Sequence, residues 1–108
     1  MTLSKANLLQ HQDRTISYRK LGNGSRKILF FHGFPGSSAQ IFPFQEFVES
    51  LDLEVLCLDR PGYNKTSPGN TEPFKQSNFD ILTLTEELQW KQFEVISVSG
   101  GTPYLFSF

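Results

Sequence analysis

The chain is poor in the residues that build cross-linked or metal-bound frameworks. It has 108 residues, a single cysteine and two histidines. One cysteine excludes an internal disulfide and a cysteine-based zinc site, and no metal site is predicted. Cys57 lies inside the apolar run at 55–58. This position predicts a buried, unreactive thiol rather than a redox centre.

The sequence also lacks an excess of one charge and any long apolar run. Ten basic and eleven acidic residues give a net charge of −1, and the basic residues are scattered. We therefore expect no nucleic-acid partner and no membrane partner. No apolar run approaches the length of about 18 residues that spans a bilayer, and the N-terminal stretch has no signal-peptide pattern. These absences predict a cytoplasmic protein.

What is present predicts one folded domain. Hydrophobic residues make up 38% of the chain, aromatic residues 14% and charged residues 19%. This composition is too apolar and too weakly charged for a disordered segment, so a packed core is expected. The length allows a single small domain.

Short apolar segments mark the expected strands. Residues 15–21 alternate with period two and end at a Gly-Asn-Gly turn, and residues 7–10 are a candidate antiparallel partner across a turn at 11–14. Uninterrupted apolar runs predict strands that are buried on both faces of a parallel sheet. These runs lie at 28–31, 55–58 and 93–98.

Helical patterns fill the intervals between these runs. The first follows Ser37 and Ser38, the candidate N-caps, and Pro43 is compatible with it only in the first turn. Its apolar positions are Ile41, Phe44, Phe47, Val48 and Leu51. The second begins at a capping signal at 77–80, and its apolar face consists of Ile81, Leu84 and Leu88.

Two loops follow the expected strands at 28–31 and 55–58. The loop at 31–38 has glycines around Pro35, which bring backbone N–H groups toward an anion such as an oxyanion. It lacks the Gly-Lys pair of a phosphate loop, and no cofactor is predicted. His32 has no companion ligands, so a histidine bonded to loop backbone is the favoured interpretation. In the second loop, Asp59 is a candidate acid, but we favour Asp59 and Arg60 as residues that fix the turn.

The third loop carries the most specific motif. Ser97 to Gly101 reads S-x-S-x-G, a near match to the G-x-S-x-G nucleophile elbow. The positions two before and two after the nucleophile must be small, because strand and helix backbones pass closely there. Ser99 satisfies this rule with Ser97 and Gly101. Ser97 as the nucleophile would place the bulky Val95 at the first of these positions.

These segments resemble the α/β-hydrolase fold in its esterase- and lipase-like branch. The similar segments lie at 31–37, 58–63 and 98–104. The resemblance implies an α/β fold with a mostly parallel sheet, an N-terminal antiparallel hairpin and flanking helices, truncated just after the elbow. Residues 1–108 would then be the N-terminal half of the domain. It also implies Ser99 as the nucleophile, with the backbone N–H groups of Phe34 and Gly100 as the oxyanion hole and His32 in a structural role.

Three departures from the family pattern shape the functional hypotheses. Ser97 and Asn64 stand where the family commonly has glycine, and Asn64 tolerates the left-handed backbone that glycine supplies. No Asp, Glu or His follows Ser99, although the family takes its triad acid and histidine from later positions. An aspartate nucleophile, as in relatives that open epoxides, is disfavoured because Ser99 holds that position.

Two functions are therefore weighed for this chain. The first is a serine hydrolase that cleaves an ester or amide through an acyl-enzyme, incomplete and inactive alone. Its partner would be a small-molecule ester or amide if a C-terminal half completes the site. The second is a non-catalytic truncated product or interaction module. Without a further strand beside the run at 93–98, an apolar sheet edge would be open, so self-association is expected.

Overall fold

The computed structural model describes residues 6–33 and 36–108. Five strands form one sheet in the order β1-β2-β4-β3-β5. The strands are β1 (Asn7–His11), β2 (Arg14–Leu21), β3 (Arg26–Phe31), β4 (Leu53–Leu58) and β5 (Glu94–Ser97). The α-helices are α1 (Gln45–Ser50), α2 (Pro73–Glu87) and α3 (Thr102–Ser107), and 3-10 helices lie at Ser38–Phe44 and Ser99–Gly101.

Strand directions match the predicted mixed sheet. β1 pairs with β2 and β2 with β4 in antiparallel fashion, whereas β3 lies parallel to both β4 and β5. Four strands therefore run in one direction and β2 in the other, which confirms a mostly parallel sheet with an N-terminal hairpin. Because β3, β4 and β5 end at the same edge, the loops that follow them are neighbours.

The core lies on both faces of the sheet because β3 and β4 are apolar on both sides. One cluster packs strand residues against α2 and the tryptophan that follows it, and the other packs them against Ile41 and Val48. The first contains Ile16, Leu29, Phe31, Leu56, Leu58, Ile81, Leu84 and Trp90. The second contains Ile28, Phe30, Ile41, Val48, Leu53, Val55 and Cys57.

β5 departs from the prediction of a strand buried on both faces. Val95, Ile96 and Val98 are 37%, 47% and 40% exposed. β5 stands last in the strand order and is paired only with β3 among the described residues. One edge and much of one face of β5 are therefore open, and the prediction of full burial holds for β3 and β4 but is wrong for β5.

The first helical segment is shorter and less buried than its pattern suggests. Ser37 caps the 3-10 helix by accepting a hydrogen bond from the Ala39 N–H, as predicted. Pro43 lies inside this 3-10 helix, one residue before its end at Phe44, so the expectation that Pro43 would stand in the first turn of a helix is wrong. Proline has no N–H to donate within a helix, and α1 begins only after it, at Gln45. Of the five predicted core positions, Ile41 and Val48 are buried, whereas Phe44, Phe47 and Leu51 are exposed.

The second helix begins earlier than the predicted capping signal at 77–80. The Glu72 carboxylate accepts a hydrogen bond from the Lys75 N–H, and Pro73 occupies the first helical position, where its fixed φ is favourable. Ser77 therefore lies inside α2 and is buried. The predicted apolar face is confirmed: Ile81 and Leu84 are buried, and Leu88 packs against the same cluster. Within residues 6–33 and 36–108, no helix is both long and apolar enough to cross a bilayer.

Candidate active site

The backbone turns sharply at Ser99, between β5 and α3. Val98 is still extended, whereas Ser99 has φ of +44° and begins a 3-10 helix that leads into α3. A positive φ is uncommon for a residue with a side chain, and it persists only where the surroundings impose it. Ser99 is exposed. The turn therefore presents a serine hydroxyl at the edge where the parallel strands end.

Close packing of backbones explains why the residue at 101 is small. A Cβ atom added to Gly101 would lie 2.5 Å from the Phe31 carbonyl oxygen and 2.7 Å from that of His32. Position 97 is less restricted, since the Ser97 hydroxyl forms a 3.0 Å hydrogen bond with the Thr102 hydroxyl. The elbow thus has room for Ser97 but not for a side chain at 101.

The loop after β3 lies beside the elbow. A Cβ atom on Gly33 would come within 3.1 Å of the Val98 carbonyl oxygen. The Gly33 N–H is already used, because it donates to Gln40 Oε1 at 2.7 Å. Phe34, the predicted oxyanion donor of this loop, lies outside the described residues. Gly100, the other predicted donor, is the second residue of the 3-10 helix that begins at Ser99.

His32 is buried and bonded through both ring nitrogens. Nδ1 lies 3.1 Å from the Gly33 carbonyl oxygen, and Nε2 accepts the Arg60 N–H at 3.2 Å. This pattern places the ring proton on Nδ1 and keeps the imidazole neutral. Desolvation by burial lowers the pKa of His32 below its usual range. The structural role predicted for His32 agrees with these contacts.

The Asp59 carboxylate connects the segments that surround the site. Its buried carboxylate accepts hydrogen bonds from the Ser38 N–H (2.6 Å) and the Ser38 hydroxyl (2.9 Å), the Ser17 hydroxyl (2.6 Å) and the Asn64 amide (3.0 Å). These donors come from β2, the 3-10 helix and the loop after β4, so one carboxylate joins three elements. Asn64 has φ of +48°, the left-handed conformation that was predicted for it.

Arg60 links this loop to the segment after the elbow. Its guanidinium donates to the His32 carbonyl oxygen and lies over the rings of Tyr63 and Tyr104, 5.0 Å and 4.6 Å from their centroids. A guanidinium that lies over aromatic rings is held there by cation–π attraction. The sequence indicated that Arg60 fixes the turn, but not that it contacts Tyr104 of α3, which is 44 positions away.

Cys57, the side chain that could suggest metal or redox chemistry, is inert here. Cys57 is completely buried, and burial raises the pKa of its thiol. A high pKa keeps the thiol protonated and unreactive. No cluster of three His, Cys, Asp or Glu side chains within residues 6–33 and 36–108 is arranged to hold a metal ion.

Gln40 is the site residue that sequence reasoning missed. It stands in the 3-10 helix, and its side-chain amide contacts both polar groups of Gly33. A lone glutamine seven positions after a glycine carries no periodic or motif signal. Only the folded loop brings the two residues together.

The sheet, the sharp strand-to-helix turn and the neighbouring loop define a class of α/β proteins whose sites lie at the carboxyl ends of parallel strands. Residues 27–105 match the model of the alpha/beta hydrolase fold family. The chain therefore belongs to the alpha/beta hydrolase fold family.

Solved structures agree on the fold. An epoxide hydrolase from Vigna radiata superposes with a TM-score of 0.77 and 18% identity, over 93% of this chain and 33% of that chain. An alpha/beta hydrolase fold protein from Burkholderia ambifaria gives 0.77 and 20%, over 97% and 38%. Epoxide Hydrolase A from Mycobacterium thermoresistibile gives 0.79 and 13%, over 94% and 33%.

The chain thus spans about a third of the length of these similar structures. At such low identity the likeness concerns the fold alone. No curated protein matches the sequence.

Proposed function

We propose that this chain carries the nucleophile and oxyanion donors of a serine hydrolase that acts on esters or amides. The observation that carries the proposal is the left-handed backbone of exposed Ser99 at the turn between β5 and α3. A hydroxyl in that position is accessible to a substrate carbonyl, and backbone N–H groups lie at the same sheet edge. The family membership favours hydrolysis as the reaction class.

In the proposed reaction, Ser99 Oγ attacks the substrate carbonyl and its proton passes to a histidine base. The N–H groups of Gly100 and Phe34 stabilise the oxyanion, the alcohol or amine leaves, and water then hydrolyses the acyl-enzyme. Gly100 directly follows Ser99 in the 3-10 helix, which supports this role for its N–H. The substrate would be a small-molecule ester or amide.

The described histidines are unsuited to serve as that base. His32 is buried with both ring nitrogens bonded, and His11 lies in β1, at the opposite edge of the sheet from β5. We therefore propose that the base and its acid come from polypeptide other than residues 6–33 and 36–108, and that the 108-residue chain alone does not turn over substrate.

Epoxide opening is the activity named for several similar structures. Opening of an epoxide through a covalent ester would need a carboxylate nucleophile at the elbow, where this chain has Ser99. Asp59, the carboxylate at the end of β4, is buried and occupied by four donors. These contacts favour acyl transfer over epoxide opening.

A non-catalytic role is the second candidate, favoured by the open β5 edge and its exposed apolar residues. An in-frame continuation of the coding sequence that contains a later Asp or Glu and a His would favour the hydrolase. A stop codon there would favour the interaction module.

Labelling with a fluorophosphonate tests the hydrolase proposal. In this reaction Ser99 Oγ bonds to phosphorus, fluoride leaves and the hydroxyl proton passes to a base. We expect no labelling of the chain in plain buffer, and labelling at Ser99 when concentrated imidazole replaces the base. Ser99→Ala should abolish it, and Ser97→Ala is the matched control that should retain it. Labelling that persists in Ser99→Ala, or fails with imidazole in a folded chain, would refute the proposal.

A further inference from the structure

The side-chain amide of Gln40 contacts both the N–H and the C=O group of Gly33, in the loop after β3. Gln40 Oε1 accepts the Gly33 N–H at 2.7 Å, and Gln40 Nε2 lies 3.5 Å from the Gly33 carbonyl oxygen. The amide orientation follows from chemistry, because an N–H donor must face the oxygen. One side chain thus meets the donor and the acceptor of Gly33. The Gly33 carbonyl oxygen also accepts the Nδ1–H of His32 at 3.1 Å, so His32 is the titratable group that faces the same carbonyl.

The other end of the loop packs on the same amide. A Cβ atom added to Gly36 would lie 1.8 Å from Gln40 Nε2 and 2.7 Å from Gln40 Cδ. Since no side chain fits there while Gln40 keeps this position, Gly36 and Gln40 are matched to each other. Gly33 and Gly36 are therefore both fixed relative to one amide group.

The loop in turn borders the elbow through Gly33, which lies against the Val98 carbonyl oxygen. We propose that Gln40 is a positioning residue for the oxyanion site: its amide fixes Gly33 and Gly36, and it thereby keeps Gly33 against the turn at Ser99. This inference rests on the proposed function. It adds that the Gly33 N–H donates to Gln40 and is therefore not an oxyanion donor.

The requirement is specific for a neutral amide. An amide donates and accepts at once, whereas a carboxylate accepts the Gly33 N–H but cannot donate to the Gly33 carbonyl. A carboxylate would also place a negative charge at Gly33, which borders the turn at Ser99, and a negative charge near the site opposes formation of an oxyanion. A protonated carboxyl group again donates and accepts. Gln40→Glu should therefore be a pH-dependent defect, whereas Gln40→Ala should be defective at every pH.

A boronic acid measures the oxyanion site without requiring catalytic turnover. Butylboronic acid forms a bond between Ser99 Oγ and boron, the hydroxyl proton passes to the buffer, and boron becomes tetrahedral and anionic. The adduct is followed by boron NMR, and its dissociation constant is obtained by titration. We expect Gln40→Ala to weaken the adduct about tenfold, the effect of losing one to two hydrogen bonds.

The pH profile separates positioning from general destabilisation. At neutral pH the Gln40→Glu variant should bind butylboronic acid more weakly than the unaltered chain. As the pH falls and the introduced carboxyl group becomes protonated, the ratio of the two affinities should rise toward one. Gly36→Ala should displace the Gln40 amide and reproduce the loss, and Gly36→Ala combined with Gln40→Ala should be no weaker than either alone. Gln45→Ala is the matched control, because the Gln45 amide donates to the exposed Glu49 in α1, and it should bind like the unaltered chain.

The outcomes distinguish the positioning role of Gln40 from the proposed serine hydrolase function on which it rests. Equal adduct affinity in the unaltered chain, Gln40→Ala and Gln40→Glu would overturn the role of Gln40 and leave Ser99 as the nucleophile. An adduct that is absent, or that is unchanged in Ser99→Ala, would overturn the proposed function and the role of Gln40 with it. If Gln40→Ala does not fold, as judged by circular dichroism, the pH-dependent ratio of Gln40→Glu decides.

Discussion

Five non-glycine residues in the described ranges have a positive φ: Gln12, Asp52, Asn64, Gln89 and Ser99. Gln12 turns the β1–β2 hairpin, and Asp52 and Gln89 follow the ends of α1 and α2, where a left-handed residue commonly terminates a helix. Asn64 is a residue type that tolerates this conformation. Serine is not a residue type that favours a positive φ, and Ser99 does not follow the end of a helix. Its conformation therefore costs free energy, which the packing of Gly101 against β3 must offset.

Replacing Ser99 by glycine should therefore remove strain as well as the hydroxyl. Glycine adopts a positive φ without steric cost, whereas alanine keeps the Cβ of serine. We expect Ser99→Gly to be more stable than Ser99→Ala by about 1 kcal/mol, measured as the free energy of unfolding in urea. Ser97→Gly is the control, since position 97 is in an extended strand and glycine should destabilise it. Equal stabilities of Ser99→Gly and Ser99→Ala would contradict the strained turn.

His32 should make the stability of the fold depend on pH. Burial lowers the pKa of His32 below its ordinary value of 6.5, so the folded chain binds fewer protons than the unfolded chain between the two values. The contribution is complete above pH 6.5 and is lost as the pH falls toward the lowered pKa. We expect the free energy of unfolding to decrease from about pH 7.5 to about pH 5.5.

The check is urea unfolding at several pH values. His32→Asn should be less stable at neutral pH, because the Arg60 N–H loses its ring acceptor, and its stability should fall less steeply on acidification. The same series on His11→Asn identifies how much of the slope belongs to the second histidine. A slope in His32→Asn as steep as in the unaltered chain would show that other groups cause it.

At the scale of elements, the pattern of apolar residues along the chain predicted the buried strands correctly. The continuous apolar runs at 28–31 and 55–58 became β3 and β4 because both faces of these strands are covered. The predicted N-cap of α2 lies five residues too late because Ser77 resembles a cap in sequence. Glu72 and Pro73 form the actual start, and Ser77 is buried inside the helix. The sequence around Ser77 and around Glu72 does not show which of these residues will be the N-cap and which will be buried within the helix.

Contacts between residues that are distant in sequence could not be predicted from apolar periodicity or capping motifs. The four donors to Asp59 come from three elements, and Gln40 meets Gly33 only after the loop has folded. The motif around Ser99 was readable because the elbow needs small residues at fixed spacing within five positions. The sequence thus predicted the elements and the elbow, whereas the polar framework that holds the loops together required the structure.

The ion pair of Arg14 and Asp80 belongs to that hidden framework. It joins β2 to α2, its side chains are 9% and 4% exposed, and Arg14 Nη2 donates to Asp80 Oδ2 at 3.1 Å. Arg14 also donates to the carbonyl oxygens of Ser67 and Pro68, which fixes the loop before α2. Removing one partner would leave the other charge buried and unpaired.

Each single replacement should therefore be costly. We expect Arg14→Met and Asp80→Leu each to lower the free energy of unfolding by about 3 kcal/mol, and the double variant to lose less than the sum. Arg26→Met is the control, because the Arg26–Glu94 pair is solvent-exposed, and its stability should be nearly unchanged. Additive losses in urea unfolding would show that Arg14 and Asp80 do not stabilise each other.

At the scale of the molecule, the sheet is covered unequally. An apolar groove of about 380 Å³ is lined by Phe30 of β3, by Phe44 and Phe47, and by Ile96 of β5 with the following Val98. The exposed Phe44 and Phe47 are the residues that the helical pattern placed in the core. Their exposure and that of β5 have one cause, since no described element covers this end of the sheet.

An open strand edge beside an apolar groove favours association of chains, because it offers unpaired N–H and C=O groups together with apolar surface. We propose that the 108-residue chain self-associates through β5. Sedimentation velocity should show a weight-average mass that rises with concentration, and Ile96→Lys should shift it toward the monomer by placing a charge on the edge strand. Leu82→Lys is the matched control, because Leu82 is 56% exposed on α2, away from β5. A monomer that unfolds cooperatively at every concentration would refute self-association, and equal effects of the two lysines would exclude β5 as its site.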